Sequence, residues 1–561
     1  MQRRDISKAL FAAAAASTVV ARQVASQTCS APCYTQTVAE SAAGVTPVNY
    51  ANPPGVIDRY GTNATPGATD MSGALIAAAS VAAYGGPSPT FLAEKYFIDA
   101  NVTVNAQCVF TSGTVITLGA GVTLGGIQNL YLQAEWFGAV GDGVTNDGPA
   151  IQVALNVCMQ SNCIPLQLLL KKYYTAQTLY AGGSPTSPSA GAVPVHGLSG
   201  LIGGASGPRG TVLTDNGAFS VPGTPILMYR CLPSYDLHTE VRDIAFDSIG
   251  SSNAVGICWA GICYARAVNC KFGATSLYEG MRWYNLDVGS YTEYCIAEKC
   301  EFFAGCVTTG HFVVSQGNDS FHGSGWDARC LINVNGAGPA VVIDNGADWY
   351  NGVFDAQVFG SAFTLFQNNN STSQLTNISA SGRLTLEIGH TGTVTLGAGP
   401  TNGSWFLFTG DIRSNGANVV PGMLLRCRSF VHGNTSAPAP IGAERTSTQA
   451  MTTGANTLAT HYLMAGCTRK VLLLLNAAGY EYQYELTVCP QAGSGAFITN
   501  AIGGAPSPLV AIGSYGSPTF SATANGQIIV TNANWPSSGV TAYMWEGQMS
   551  PGGYGGQFGY L

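Results

Sequence analysis

The chain has 561 residues, of which only 9% are charged, compared with about 25% in an average globular protein. Its formal net charge of -7 argues against a nucleic-acid partner, and no apolar run reaches the roughly 18 residues of a membrane-spanning helix. The length allows two or three domains or one long solenoid, and the 71 glycines favour a β-rich protein that works outside the cell or on a virion.

The N-terminal segment, residues 1–54, has two interpretations. Arg3 and Arg4 precede an Ala/Val-rich stretch, which is the pattern of a twin-arginine export signal that is cleaved within residues 1–28. Alternatively, the segment is retained and attaches the protein to a larger assembly. We favour retention, and the intact mass of the native protein distinguishes the two interpretations.

Two glycine-rich motifs, each followed by a helical pattern, come next in the chain. The stretch 59–80 reads RYGTNATPGATDMSGALIAAAS, and the stretch 135–155 reads EWFGAVGDGVTNDGPAIQVAL. In the second motif Asp147 suits a helix N-cap and Pro149 suits the first helical turn. We therefore predict a short helix over about 150–158 and a similar helix after the first motif.

The second motif resembles the opening of pectate-lyase-like right-handed parallel β-helix proteins. In that superfamily the segment covers the N-terminal end of the β-helix and is not the active site. Two such motifs in one chain resemble phage tailspikes and related polysaccharide depolymerases. The resemblance covers residues 55–425 and implies an all-β fold: a right-handed parallel β-helix with short N-terminal capping helices and a separate C-terminal β-sandwich-like domain.

Composition and motifs divide the chain into five predicted segments. They are a leader-like or attachment segment, a small β subdomain with the first motif, the parallel β-helix, a linker and a C-terminal β domain for trimerisation or glycan binding. Their predicted ranges are 1–54, 55–133, 134–433, 434–457 and 458–561.

Internal repeats support the β-helix prediction. Bulky residues close similar segments at spacings of 26, 30, 24, 28 and 24, at Phe246, Phe272, Phe302, Trp326, Phe354 and Ile378. A second set of coil starts has spacings of 24, 25 and 24, at Gly256, Gly280, Gly305 and Arg329. Both sets predict one turn of about 25 residues, with neighbouring coils about 4.7 to 4.9 Å apart.

The 16 cysteines do not form the closely spaced pairs of a zinc site. Cys270 and Cys300 each lie two residues before a repeated phenylalanine, so we predict that they stack in the core. Two local disulfides are compatible with the spacing, namely Cys29 with Cys33 and Cys158 with Cys163.

Three acidic residues fall 13, 14 and 15 residues after successive coil starts: Glu293, Asp319 and Asp344. This spacing predicts a carboxylate ladder with one rung per coil, about 5 Å apart, which suits the two carboxyl groups of a retaining glycosidase. The alternative is that acidic residues simply favour the turns of the solenoid.

Other candidates follow from the same counting. Asp287 and His311 fall at similar offsets in adjacent coils and form a candidate acid/base pair, with Arg282 nearby on an outward position. Arg282, Tyr284 and Trp349 are candidate substrate-binding residues, because aromatic rings pack against the C–H faces of sugars. The alternative for the Asp and His residues is a structural role.

The resemblance implies a tailspike-like protein that binds and depolymerises bacterial surface polysaccharide as a homotrimer in the virion tail. Its N-terminus would contact other tail proteins, and we predict no cofactor, apart from calcium if the reaction is a lyase reaction. The Arg-x-Lys and Asp-Asp motifs of polygalacturonases do not occur in the coils, so pectin is not the expected substrate. Two alternatives are a receptor-binding tail fibre without catalysis and a secreted bacterial polysaccharide lyase or hydrolase.

Overall fold

The computed structural model describes the chain from residue 33 onwards, with gaps. The described residues are 33–182, 200–207, 209–230, 238–250, 253–286, 291–315, 319–334, 339–344, 346–360, 362–370, 377–388, 393–398, 405–415, 418–420, 424–432, 445–451, 454–457, 468–477, 480–491, 495–500, 510–511, 519–522, 528–532 and 540–550. The predicted signal or attachment residues 1–32 lie outside them.

Short helices and paired strands form the N-terminal part of the described chain. The helices are α1 (Val38–Ala42), α2 (Ser72–Ala83) and α3 (Gly148–Gln160), and Ile57–Arg59 and Ala134–Phe137 are single 3₁₀ turns. The strands are β1 (Thr90–Phe91), β2 (Lys95–Ile98), β3 (Val102–Ala106), β4 (Val109–Phe110), β5 (Val115–Leu118) and β6 (Leu124–Ile127). They form three parallel pairs, β1 with β4, β2 with β5 and β3 with β6.

The two predicted capping helices are present, as α2 and α3. Asp147 occupies the N-cap position of α3, and Pro149 lies in its first turn, as predicted. The Asp147 carboxylate, however, accepts hydrogen bonds from the backbone N–H groups of Val140 (2.7 Å) and Gly141 (3.2 Å). Asp147 therefore ties down the glycine-rich loop before the helix instead of capping the helix N–H groups.

The two motifs are copies of one structural unit, separated by 77 residues. In each copy a buried tyrosine donates a hydrogen bond to an acidic residue and accepts one from the backbone N–H four residues earlier. The copies differ in one neighbouring charge, which is an acid in the first and a lysine in the second. The matching residues are Asp58, Glu94 and Tyr96 in the first copy and Glu135, Lys171 and Tyr173 in the second.

A parallel β-helix follows. Its strands are β7 (Leu132–Gln133), β8 (Asp142–Asn146), β9 (Leu166–Gln167), β10 (Lys172–Tyr174), β11 (Leu179–Ala181), β12 (Leu201–Ile202), β13 (Thr211–Thr214), β14 (Thr224–Arg230), β15 (Thr239–Arg242), β16 (Ile244–Asp247), β17 (Ala254–Ala260), β18 (Ala265–Val268), β19 (Lys271–Phe272), β20 (Leu277–Asn285), β21 (Ile296–Glu298), β22 (Glu301–Phe302), β23 (Cys306–Val314), β24 (Asp319–Ser320), β25 (Gly325–Asn333), β26 (Pro339–Asp344), β27 (Ala347–Asp348), β28 (Gly352–Gly360), β29 (Phe363–Asn368), β30 (Asn377–Ser381), β31 (Arg383–Ile388), β32 (Thr393–Ala398), β33 (Trp405–Asn415), β34 (Asn418–Val420) and β35 (Leu424–His432).

Two long sheets run along this β-helix, and their strands pair in parallel. One has nine strands in the order β11-β14-β17-β20-β23-β26-β29-β32-β34, and the other has 18 strands. In the middle coils the larger sheet receives two short strands per coil, separated by a sharp corner. This arrangement is the predicted right-handed parallel β-helix, and parallel strands with buried inner faces explain the apolar repeats.

The residue at the corner between the two short strands of a coil has a left-handed backbone conformation. Asp243, Asn269 and Lys299 have φ values of 59°, 51° and 53° at equivalent positions in three coils. The Asn269 side-chain amide donates to the Asp243 carboxylate (2.7 Å), so the corner residues also bond from coil to coil. Asn and Asp tolerate this conformation better than most residues, which explains two of the three choices.

The core contains the predicted stacks, with one correction. Phe246, Phe272 and Phe302 are stacked with ring centroids 5.4 and 4.7 Å apart. The stack then continues to Ile332 and not to Trp326, because β25 is long enough to supply both positions. Trp326 belongs to a second core column with Phe354.

The buried cysteines form a stack of their own. Cys270 and Cys300 occupy equivalent core positions, as predicted, and Cys330 extends the stack by one coil. Their thiols contact backbone carbonyls of neighbouring strands. Elsewhere Cys33 is disulfide-bonded, whereas Cys158 is a buried thiol, so the compatible pairing of Cys158 with Cys163 is not formed.

The C-terminal region contains antiparallel strands: β36 (Arg445–Met451), β37 (Gly454–Thr457), β38 (Thr468–Ala477), β39 (Tyr480–Gln491), β40 (Gly495–Asn500), β41 (Val510–Ala511), β42 (Thr519–Ala522), β43 (Ile528–Asn532) and β44 (Val540–Ser550). They form one six-stranded and one three-stranded sheet, and β41 pairs with β39. Strands β36 and β37 lie within the range 434–457 that was predicted to be a linker, and the division of the chain into domains stays a prediction. Within the described residues no helix is long and apolar enough to cross a membrane.

The duplicated unit predicts a stabilising substitution, Glu94→Lys. Burial and the charge of Asp58 raise the pKa of Glu94, whereas in the second copy Lys171 Nζ lies 3.3 Å from Glu135. We expect Glu94→Lys to stabilise the N-terminal unit by about 1 kcal/mol at pH 7, because it replaces like charges with an ion pair. The gain should shrink towards pH 4.5, where Glu94 is protonated in the folded protein.

The reciprocal substitution, Lys171→Glu, is the control and should lower the temperature of the first unfolding transition in calorimetry. Equal effects of the two substitutions would contradict the correspondence between the copies.

Candidate functional site

The candidate site lies on the outer face of the nine-stranded sheet. The position of its central carboxylate depends on a glycine in β20. Met281 and Trp283 point into the core from β20, so simple alternation would bury Glu279 in the core as well. A Cβ on Gly280, however, would lie 2.6 Å from the ring of Phe302, which shows that Gly280 also faces the core. The backbone at Gly280 thus departs from strict alternation and places the Glu279 carboxylate on the outer face.

Glu279 and Arg282 form a two-pronged ion pair within this strand. Arg282 Nε donates to Glu279 Oε2 and Arg282 Nη2 donates to Oε1, both at 2.7 Å. Arg282 Nη1 also donates to the carbonyl oxygen of Gly223 (3.0 Å). The side chain of Glu279 is 2% exposed and that of Arg282 is 15% exposed, so the pair is shielded from solvent. Planar pairs of this kind fix the orientation of both groups.

His311 and Asp344 extend the cluster across the next two strands. His311 is opposite Arg282 in the pairing of β20 with β23, and its Nδ1 atom lies 2.8 Å from Glu279 Oε1. Its Nε2 atom lies 3.6 Å from Asp344 Oδ2, which is a close charge contact but longer than a good hydrogen bond. The Asp344 side chain is 29% exposed and is the most accessible member of the cluster.

The charges of the cluster depend on one another. Burial would raise the pKa of Glu279, but the hydrogen bond from His311 and the charge of Arg282 lower it below its ordinary value. Burial would lower the pKa of His311, but its contacts with Asp344 and Glu279 raise it. The imidazole of His311 therefore lies between two carboxylates that favour its charged form, and only Asp344 of the two is substantially exposed.

The predicted carboxylate ladder is not formed. Its coil starts treated Gly280 and Gly305 as equivalent, whereas Gly280 is opposite Thr309 in the strand pairing. The true coil lengths therefore differ from the counted ones.

As a result, the three ladder residues occupy different positions. In the backbone pairing between strands, Glu293 is opposite Cys263, Asp319 is opposite Ala347, and Asp344 is opposite Val313. The Asp319 side chain and the whole of Asp287 lie outside the described part of the chain, so their catalytic roles stay predictions.

The other predicted residues divide into two groups. His311 and Arg282 are adjacent, and Tyr284 lies two residues after Arg282 on the same strand, half-buried against Met228, Cys258 and Ala260. Trp349, in contrast, is 0% exposed, and its indole N–H donates to the Ser324 carbonyl oxygen (2.8 Å). Trp349 is a core residue, so its assignment as a sugar-binding residue was wrong.

Glu279 was missed by the sequence analysis, although it is the centre of the cluster. An alternating strand pattern places it inside, where an acid is unexpected. The available signal was the Glu-Gly-x-Arg spacing in β20, since a glycine within a strand often marks a local irregularity. Among the described side chains, no group of three or more His, Cys, Asp or Glu residues is arranged to hold a metal ion. The calcium expectation for a lyase stays a prediction.

Comparisons with known proteins agree with the resemblance that the motifs predicted. No protein-family model matches the chain. It is 24% identical over 249 residues to the capsule K3-specific depolymerase 1 of Klebsiella phage KP32. This match covers 42% of the chain and 27% of the phage protein, so the chain spans about a quarter of that relative's length.

Three solved structures illustrate the structural similarity. The ORF18 protein of Geobacillus virus E2 has a TM-score of 0.32 and 14% identity, with 71% of this chain and 78% of the other covered. The surface adhesin PfbA of Streptococcus pneumoniae has a TM-score of 0.39 and 10% identity, with 66% of this chain and 99% of the adhesin covered. The tailspike protein of Acinetobacter phage vB_ApiP_P1 has a TM-score of 0.26 and 12% identity, with 75% of this chain and 87% of the tailspike covered. These scores are low, and the fold assignment rests on the strand pairing described above.

The buried cluster predicts a large loss of stability for Glu279→Gln. Removing this charge leaves Arg282 and His311 without the negative charge that they share, which should cost about 3 to 5 kcal/mol. Thermal unfolding measures the loss, and Glu298→Gln is the matched control, because Glu298 pairs with the half-exposed Arg266 on the other sheet. The control should cost at most about 1 kcal/mol.

The same cluster predicts how stability depends on pH. The lowered pKa of Glu279 provides stability that is present above its ordinary value of 4.5 and is lost as the pH falls. The raised pKa of His311 provides stability that is present below 6.5 and is lost as the pH rises through its folded value. The contribution of the cluster to the free energy of unfolding should be largest between pH 4.5 and pH 6.5. Glu279→Gln should reduce the change of stability with pH. An unchanged pH profile in the variant would contradict the charge assignment.

Proposed function

We propose that this protein binds bacterial surface polysaccharide and cleaves it at the cluster of Glu279, Arg282, His311 and Asp344. The observation that carries the proposal is the position of the His311 imidazole, fixed by Glu279 next to the partly exposed Asp344 carboxylate on the outer face of the nine-stranded sheet. The sequence match with a phage protein described as a capsule depolymerase supports the substrate class. The proposed location is the virion tail, and the proposed assembly is a homotrimer.

The geometry gives each residue of the cluster a distinct role. Asp344 is the proton-transfer residue, because its carboxylate is the most exposed group of the cluster and lies 3.6 Å from His311 Nε2. His311 is a positioning residue and, where its Nε2 proton reaches the leaving oxygen, the proton donor. Glu279 holds the imidazole in one orientation and favours its charged form, and Arg282 fixes the Glu279 carboxylate.

The burial of Glu279 bears on the reaction class. Glycosidases of the common two-carboxylate type need both carboxyl groups to face the sugar. Glu279 is 2% exposed and already accepts hydrogen bonds from Arg282 and His311, so it is unsuited to be the second carboxylate. The proposed chemistry is therefore proton transfer by Asp344 with help from His311, and the products distinguish hydrolysis from elimination.

The proposal predicts that Asp344→Asn abolishes cleavage but leaves binding. Purified protein is incubated with capsular and lipopolysaccharide fractions from candidate host bacteria, and chain length is followed by size-exclusion chromatography. The rate at which the variant shortens the polysaccharide should be lower than the wild-type rate by a factor of about 100 or more, because proton transfer is lost. Asp355→Asn is the matched control, since Asp355 contacts Arg383 on the other sheet (3.1 Å), and it should cleave normally.

The products and the failures are equally informative. Ultraviolet absorbance of an unsaturated uronate at the new chain end indicates elimination, and its absence during shortening indicates hydrolysis. Binding without shortening by the wild type would replace the proposal with a receptor-binding fibre. Full activity of Asp344→Asn would remove the cluster from the catalytic role.

A further inference from the structure

A row of aromatic side chains follows one turn of the β-helix from coil to coil. The rings are partly exposed, and the three tyrosines of the row are each about 40% exposed. The members of this aromatic row are His238, Tyr264, Tyr294, His322 and Tyr350. Centroid distances are 5.1 Å for His238 with Tyr264, 5.1 Å for Tyr264 with Tyr294 and 4.7 Å for His322 with Tyr350.

The backbone beneath this row is unusual. Tyr264 and Tyr294 have φ values of 60° and 54°, a left-handed conformation that bulky residues rarely adopt. At the other corner of the same coils the left-handed positions include Asp243 and Asn269, which suit it better. Gly323, with φ of 59°, lies so close to the Tyr294 ring that a side chain would clash with it. The turn geometry alone therefore does not explain the two tyrosines.

The three tyrosines of the row are about 40% exposed, and the groups that such side chains offer a ligand beside a stacked neighbour are ring edges and hydroxyl groups. The Tyr264 and Tyr294 rings are nearly parallel, at 4°, so each covers a face of the other. Ring edges carry partial positive charge, and phenol groups donate hydrogen bonds. Neighbouring rings lie 4.7 to 5.1 Å apart within two stacked groups, His238 with Tyr264 and Tyr294, and His322 with Tyr350. This repeat along the helix axis suits a linear polymer with oxygen atoms along its length.

The row is joined to the candidate site through one buried residue. Thr292 lies between Tyr291 and Glu293 on the turn of the row, and its hydroxyl donates to the Tyr284 carbonyl oxygen (3.0 Å). Tyr284 on β20 and Asp344 on β26 are at equivalent positions of their strands, because both are opposite Val313 on β23. The aromatic row therefore borders the end of the sheet face that carries Asp344.

From these observations we infer that the aromatic row is a second polysaccharide-binding surface, which holds an extended glycan along the helix axis through ring edges and hydroxyl groups. This inference rests on the proposed function. The phenol and imidazole groups of the row can hydrogen-bond to the hydroxyl and carboxylate oxygens of a glycan.

The test replaces both strained tyrosines with asparagine, which tolerates the left-handed conformation. Binding is measured with the purified polysaccharide that the wild type shortens, in the Asp344→Asn background so that the chain is not cut. Tyr264→Asn with Tyr294→Asn should weaken binding by at least about 5-fold, while the unfolding temperature stays within the range of the control. The control replaces two exposed tyrosines outside the row, Tyr84 and Tyr131, with asparagine and should bind normally.

A second variant pair keeps the stacked rings and removes only the hydroxyl groups. Tyr264→Phe with Tyr294→Phe should weaken binding by about 2-fold or more, and it decides the matter if the asparagine variant does not fold. Wild-type affinity in a folded variant of each pair would overturn the inference. A change in oligomeric state with unchanged binding per subunit would show instead that the row is a contact between copies.

The two proposals fail in different ways. If the wild type shortens a polysaccharide and the tyrosine variants bind it normally, only the aromatic row is disproved. If the wild type neither binds nor shortens any fraction, the proposed function is wrong, and this inference is overturned with it.

Discussion

Parallel pairing between coils is the constraint on which this structure depends. Each strand bonds to its equivalent in the next coil, so side chains one coil apart stand about 5 Å from each other. In the core this places Phe246, Phe272 and Phe302 in one stack. On the outer face it places two basic side chains, Arg282 and His311, directly opposite each other. Such neighbours repel unless a carboxylate lies between them, and Glu279 is that carboxylate.

This compensation also fixes the geometry of the candidate site through contacts within the protein. Glu279 is hydrogen-bonded by both neighbouring basic side chains, and Arg282 is fixed in addition by the Gly223 carbonyl oxygen. The orientation of His311 towards Asp344 is therefore set by its contact with Glu279. Preorganised groups of this kind need little rearrangement when charge develops during a reaction.

The sequence predicted the general architecture better than the positions within it. Glycine-rich motifs and a repeat of about 25 residues were enough for the β-helix and its capping helices, because turns and core periodicity depend on local chemistry. Arg282 and His311 were predicted to be neighbours, and they are. The carboxylate ladder failed because coil lengths vary, and counting along the chain carries each difference into every later coil. Glu279 could not be found by alternation, because Gly280 interrupts it.

The candidate site has a further consequence for how chains of this kind can change length. A β-helix can gain or lose a whole coil and still pair its strands, because each coil contacts only its neighbours. Glu279, His311 and Asp344, however, come from three successive strands, β20, β23 and β26. Insertion or deletion of a coil inside residues 277–344 would separate them while preserving the fold. Descendants of this chain can therefore vary in length on either side of this segment, whereas those that vary within it would keep the shape and lose the chemistry.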